Sequence, residues 1–429
     1  MIIPLPSAPP WLDRMSLHRW YAISGDRPDL GLPPAAAGTR YLADTDPARD
    51  PTLNPSRTIK ERLRRAMGRD PKSPWHGVAG FSAITEGWNG AAYASRYGAS
   101  GSMIVFGGGH NDYFGSDVHA FDLASREWRR VSDGYVSGAA AEYGAGASYP
   151  DAVYPDGSPL PPHTYGYVQY DPVGNDYVLF KGQTELGREV KAIAIPHLFN
   201  LDTLTWRHGP RHPTAKLNSG GWTTWDASRR VIWGHSGDDG GGNAFIAFSP
   251  DGANPDGTFG QWREHFPNKL PGRANHNAMQ VDPLRDIIVV CVHAHDELYA
   301  IDPADPGREI GRLQSEGSKP ALHPYAALEY APNLDRLVYF SPVDAGTVFT
   351  IAGPHGHRAR NGFVAPWSWH AFTPAAGTLD PIRDAATRSR YPVNLSQTFG
   401  RFRIASFGTI DLAVLVRHVD SPVYAMRLM

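Results

Sequence analysis

Histidines and tyrosines recur in this chain at the ends of short apolar runs, and these are side chains that exchange protons near neutral pH or once their environment is tuned. His110 follows a glycine triplet in MIVFGGGHND, Gln183 closes DYVLFKGQ, His235 closes RVIWGH, and His295 ends IIVVCVHAH. A second set stands where other apolar runs begin: Tyr165 in HTYGYVQYD, His276 in NHNAMQVD and Tyr325 in PYAALEYA. Rings gathered from segments this far apart would form one pocket able to bind a polar ligand and move a proton. The substrate-binding set is then Asn111, Gln183, His235, Asn275, His276 and Tyr325. Trp88 and Tyr113 could stack on a flat ligand face.

Metal ligation is the other chemistry open to the 18 histidines. On a strand, His293 and His295 in HAH would project to one face, a spacing that grips zinc or copper when a neighbouring segment adds a third ligand. GDDGGGN at 237–243 offers oxygen ligands for calcium but lacks the EF-hand spacing. Zinc and calcium are therefore the candidate structural ions, and no cofactor is required. No P-loop, GxSxG elbow or HExxH is present. GGGH is no dinucleotide fingerprint, because no helical pattern follows it.

The elements that must position these residues are short strands. In FGGGHNDYFGSDVHAFDLASREW an apolar strand runs into glycines, then a loop, an alternating strand, a tight turn and a tryptophan that opens one more strand. Glycine fits where a Cβ would clash, and His110 is left at the strand end. The unit recurs, each copy closing on one position: Trp128, Trp206, Trp262, Ile310 and Trp369. A last unit has only three strands, FGRFRIAS, DLAVLVRH and SPVYAMRLM, while a lone strand around Trp20 sits near the start. Pairing these two termini would complete a sixth unit and remove exposed sheet edges. The reading is thus all-β, a single β-propeller over 1–429 with six four-stranded antiparallel blades, seven being the alternative. The Pro-, Asp- and Arg-rich stretch 25–74 is a surface excursion with one short helical pattern, TIKERLRRAM.

Composition agrees with this reading. The 45 glycines and 38 prolines suit many turns, and 41% hydrophobic with 11% aromatic residues is enough for a core. With 41 basic against 43 acidic residues the net charge is −2, which offers no overall field for nucleic acid or membrane. Cys291, the single cysteine, precludes an intrachain disulfide and reads as a buried thiol in an apolar strand. No signal peptide and no 18-residue apolar run is visible, which leaves the compartment open, extracellular if a leader has been removed. A monomer is expected.

The blade pattern resembles Kelch-type propellers over nearly the whole chain. The GGGH strand end followed by HTYGYVQY looks like the propeller polysaccharide lyases that cleave ulvan. That resemblance implies β-elimination on a uronate-containing glycan, with His110 and Tyr165 as base and acid, His163 competing with Tyr165, and Arg188 in TELGREV offsetting the uronate carboxylate. A non-catalytic propeller that binds glycan or protein, such as a phage or surface protein, is the alternative. Third comes a metal-dependent oxidase, since the blades are also similar, more distantly, to galactose oxidase.

Overall fold

The computed structural model describes residues 6–24, 30, 84–85, 88–108, 115–132, 135, 148–185, 192–217, 220–237, 244–267, 270, 276–308, 311–354, 366–375, 377–388, 398–418 and 421–429. Among the described residues, twenty-five strands form six sheets arranged as a six-bladed propeller. Blade 1 is β2 (Ala91–Ala94), β3 (Ser102–Val105), β4 (Val118–Asp122) and β5 (Glu127–Ser132). Blade 2 is β6 (Val168–Asp171), β7 (Asp176–Gln183), β8 (Ala192–Asn200) and β9 (Thr205–His208). Blade 3 is β10 (Trp222–Asp226), β11 (Val231–His235), β12 (Phe245–Ala253) and β13 (Phe259–Phe266). Blade 4 is β14 (Met279–Asp282), β15 (Ile287–Val292), β16 (Glu297–Ile301) and β17 (Gly311–Leu313). Blade 5 is β19 (Ala327–Ala331), β20 (Arg336–Phe340), β21 (Val348–Ala352) and β22 (Trp367–Phe372). Blade 6 is β23 (Phe402–Phe407), β24 (Ile410–Val416) and β25 (Val423–Arg427), completed by β1 (Trp20–Ala22). Its register sets Trp20 opposite Met426 and Ala22 opposite Tyr424, so the two ends of the chain close the ring.

The first strands of the six blades neighbour one another in a closed cycle, β2–β6–β10–β14–β19–β23 and back to β2. Second strands are buried on both sides between adjacent blades, which is why SMIV in β3 and IIVVCV in β15 are continuously apolar rather than alternating. The closing tryptophans fill the wedges between blades. Trp206 of blade 2 meets Phe106 of blade 1 at 5.1 Å, Trp262 of blade 3 meets Phe180 of blade 2 at 5.5 Å, and Trp20 of blade 6 meets Phe340 of blade 5 at 5.6 Å. In each pair the phenylalanine stands at or near the end of a second strand, so one sequence position makes the same inter-blade contact at these three junctions.

The lower face, where first strands turn into second strands, carries polar clasps. Asp226 and Asp282 cap their hairpin turns through Oδ1, which accepts the backbone N–H of Arg229 at 3.1 Å and of Arg285 at 3.0 Å. The arginine three residues on then reaches forward to the next blade. Arg229 donates to Asp286 at 2.6 and 3.0 Å, and Arg285 donates to Asp335 at 2.9 and 3.0 Å.

Three features depart from the sequence expectation. Blade 5 has a fifth strand, β18 (Ser315–Gly317), which pairs in parallel with β22 on its outer edge. A short helix, α1 (Pro381–Arg388), stands between β22 and β23. HAH is not a strand end but a 3₁₀ turn, His293–His295, in which residues two apart point to different sides. The TIKERLRRAM pattern, most of the 25–74 stretch, GDDGGGN from Asp238 to Asn243, and Ile310 lie outside the described residues. No helix among the described residues is long and apolar enough to cross a membrane.

Candidate functional site

Antiparallel pairing puts the start of each first strand beside the end of its second strand: Trp222 faces His235, and Ala327 faces Phe340. Gln183, His235 and His295, at or just past the ends of second strands, therefore share the upper face with Tyr165, His276 and Tyr325. Tyr165, His276 and Tyr325 sit just before their strands rather than on them, in the loops that enter β6, β14 and β19. Each stands four residues ahead of a polar position on its inner strand, Gln169, Gln280 and Glu329. The same offset links Phe399 to Arg403, Gly220 to Thr224 and Trp88 to Ala92. Positive φ at Tyr165 (46°), Gly220 (77°), His276 (60°) and Phe399 (44°) marks a shared local conformation that turns the chain into the strand.

Four of these rings close over the propeller axis. His276 lies 4.8 Å from Tyr325, 5.6 Å from Tyr165 and 5.7 Å from Phe399, while Phe399 lies 5.2 Å from Tyr325 and 5.7 Å from Tyr165. His163 flanks Tyr165 at 6.0 Å and Trp88 at 4.8 Å, and His323 flanks Tyr325 at 5.5 Å. Buried Lys181 places its Nζ 4.6 Å from the centroid of the Tyr165 ring. Backbone bonds hold the cluster: Tyr165 N–H donates to the Trp88 carbonyl at 2.7 Å, and His276 N–H to the Gly220 carbonyl at 2.5 Å. Asn89 and Thr164 exchange bonds across blades 1 and 2, Thr164 Oγ1 accepting from Gly90 N–H and Asn89 Oδ1 from Thr164 N–H. Gly107, beside them at φ 126°, has no room for a Cβ, which would fall 2.4 Å from Asn89 Oδ1.

Beneath the rings an ion pair fills the axis. Arg403 donates to Glu329 at 2.5 Å, to the Ala91 carbonyl at 2.7 Å and to the Val168 carbonyl at 3.0 Å. One side chain thus ties blades 1, 2, 5 and 6. Burial raises the Glu329 carboxyl above its ordinary pKa, and Arg403 acts against that rise.

The structure separates the sequence candidates into three groups. Tyr165, His163, His276 and Tyr325 come together at the axis, with His276 and Tyr325 partly open while Tyr165 and His163 are buried. Gln183 and His235 reach the same face but are engaged with the backbone. Gln183 Nε2 donates to the Glu185 carbonyl at 2.7 Å, and His235 Nε2 lies 2.7 Å from the Asn277 carbonyl, with burial lowering the His235 pKa. Their geometry is that of loop supports. His110, Asn111, Arg188, Asn275 and Tyr113 lie outside the described residues.

The HAH pair does not form the two-pronged grip that a strand would give. His293 Nδ1 contacts Asn277 Oδ1 at 2.9 Å, whereas exposed His295 turns to the Tyr299 hydroxyl at 3.4 Å. No group of three or more His, Cys, Asp or Glu among the described residues is placed to hold a metal ion. Cys291 is buried, and burial pushes its thiol well up. His323, which the sequence reading passed over, has Nδ1 accepting the Tyr325 N–H at 3.2 Å, which leaves the ring proton on Nε2 when the ring is neutral. Burial lowers the pKa of both His293 and His323, so both are neutral at pH 7. Phe399 and His323 were legible in part, since FGRFR and HPYAALE align with HTYGYVQ once the four-residue offset is used.

No family model matches the chain, and no curated protein matches it. Among solved structures it is similar to the major Malassezia sympodialis allergen Mala s 1, at 8% identity and a TM-score of 0.42 over 80% of this chain and 93% of that one. A structural-genomics protein of unknown function from Bacteroides thetaiotaomicron matches at 11% identity and a TM-score of 0.39, covering 82% and 74%. Virginiamycin B lyase from Staphylococcus aureus matches at 10% identity and a TM-score of 0.38, covering 81% and 97%.

Proposed function

We propose that this propeller acts on a uronate-containing glycan laid across its upper face, cleaving it by β-elimination. The observation that carries the reading is the convergence of Tyr165, His276, Tyr325 and Phe399 from four blades on one axial spot, with Trp88, His163 and His323 at its rim. Aromatic rings offer apolar faces for sugar rings, and neutral imidazoles supply donors and acceptors for hydroxyls. In the elimination, a base takes the proton next to the uronate carboxylate, the bond from the ring to the leaving oxygen breaks, and an acid protonates that oxygen. The charge that builds on the carboxylate side needs a cation or strong donors.

His110 and Tyr165 are assigned to proton transfer and Arg188 to the carboxylate, following the lyase resemblance of GGGH and HTYGYVQY. Lys181 over the Tyr165 ring supplies positive charge where a phenolate would form. The blades are assigned as Kelch-type on a separate likeness, the unit that recurs over nearly the whole chain. The test is a panel of uronate polysaccharides followed by the ultraviolet absorbance of the unsaturated product. His110→Ala and Tyr165→Phe should each lower the rate by roughly 10²–10⁴-fold, and full activity in both variants would reject the assignment. The burial of Tyr165 and His163 favours a second reading, glycan binding without cleavage. That reading stands if no uronate gives product while glycan is still retained.

A further inference from the structure

A groove of about 400 Å³ opens at the upper end of blade 2, between Ser148 and Pro150, Thr184 and Ile193, and the segment that leads on to blade 3. Two cations line it, Arg211 and Lys216, both exposed, together with the hydroxyls of Ser148, Thr184 and Thr214, and no carboxylate is among the described residues that line it. We infer that this groove is a subsite for an anionic group of the bound glycan, the carboxylate or sulfate of a sugar unit away from the one at the axis. The inference rests on the glycan reading above.

Its walls are fixed rather than incidental. The 209–217 segment is stitched to β8, with Gly209 N–H donating to the Pro196 carbonyl at 2.7 Å and His212 N–H to the Ala194 carbonyl at 2.8 Å. Buried His212 then folds the segment on itself, Nδ1 accepting the N–H groups of Thr214 at 3.2 Å and Ala215 at 2.8 Å, while its ring packs 5.0 Å from Trp262. The opposite wall is anchored where Tyr149 N–H donates to the Thr184 carbonyl at 2.7 Å. Arg211 and Lys216 thus emerge from either end of a rigid turn. A cleft of one charge sign concentrates field and counter-ions, and side chains held by a fixed backbone lose less freedom on binding.

The same stretch joins the groove to the axis. Lys216 is four residues from Gly220, whose carbonyl holds His276 at 2.5 Å, so the backbone distance is at most about 14 Å. One oligosaccharide can reach both places.

The experiment is calorimetric titration of the full chain with three oligosaccharides of equal length: an unsulfated oligogalacturonate, a neutral oligogalactan and its O-sulfated form. Arg211→Ala/Lys216→Ala is compared with the wild type at two salt concentrations. Both side chains are exposed, so the fold should survive, and circular dichroism checks it. The double variant should bind a charged chain about tenfold more weakly, a factor of about three for each partly exposed ion pair. Its salt dependence should be shallower and its affinity for the neutral chain unchanged. Loss confined to the uronate assigns a carboxylate, and loss confined to the sulfated chain assigns a sulfate. Unchanged affinity for both charged chains, or equal loss on the neutral one, overturns the subsite while leaving the glycan reading intact. Wild-type protein that binds none of the three overturns both.

Discussion

Replacing Arg403 with alanine tests whether the axis is held from below by one cation. Arg403 is almost fully buried and its guanidinium makes three bonds, to Glu329, Ala91 and Val168, on three other blades. Removing one member of a buried ion pair costs about 3–5 kcal/mol, because the partner charge stays behind uncompensated. Arg403→Ala should therefore lower stability by about that amount, read as the shift in urea midpoint at pH 7 with an unchanged m-value. Adding Glu329→Gln should restore roughly 1–3 kcal/mol by removing the stranded charge.

The pH dependence supplies an independent sign. Glu329 has a folded pKa raised by burial, so the stability linked to it is fully present below its unfolded pKa and is lost as pH rises through the folded one. Without Arg403 the folded pKa rises further. The gap between wild type and Arg403→Ala should then narrow from pH 7 toward pH 5. A loss below about 1 kcal/mol, no rescue by Glu329→Gln, or a gap constant with pH would refute the claim that charge compensation, rather than packing, holds this position.

Two further outcomes separate buried from exposed electrostatics. Arg285, buried against Asp282 and Asp335, should cost about 3–5 kcal/mol on conversion to alanine, whereas Arg230, paired with half-exposed Asp251, should cost no more than about 1 kcal/mol; equal urea shifts would contradict the inter-blade clasp. His197, His208 and His235 have pKa values lowered mainly by burial, so their unfolded forms take up protons first and stability is lost as pH falls below about 6.5. The slope should reach roughly 1.4 kcal/mol per pH unit for each histidine. His208→Gln should flatten it, and an unchanged slope would count against the His197–His208 pair.

The ring was legible because its signal repeats. In blades 2, 3 and 6 the closing tryptophan meets a phenylalanine of the preceding blade, and in blades 3 and 4 an Asp-x-x-Arg turn clasps the following one, so one sequence pattern encodes both a strand and its inter-blade contact. The terminal closure followed from counting strands. The β18 strand did not, since three residues, Ser315–Gly317, carry no periodicity to read. HAH misled for a related reason: alternation over three residues cannot distinguish a strand end from a 3₁₀ turn. For the site, residue type marked Tyr165, His276 and Tyr325, but type alone could not reveal that Tyr165 and His163 lie beneath their neighbours. Phe399 was missed because it bears no polar group, although its spacing to Arg403 matches that of Tyr165 to Gln169.

That burial constrains what the fold can do. Tyr165 and Phe399 are buried at the upper end of the axis, and the Arg403–Glu329 pair occupies the space below them, so the glycan of the proposed function would lie across the face rather than thread the propeller. The axial rings are fixed by backbone bonds that span blades, and changing them would disturb the closure of the ring itself. On the proposed reading, discrimination between glycans would fall to positions that the closure does not need. Arg211 and Lys216 are such positions, exposed on a turn whose shape is set by His212 and β8 rather than by their own side chains. Exchanging them alters charge without altering the scaffold, which is the separation a propeller requires if one axial architecture is to serve different glycans.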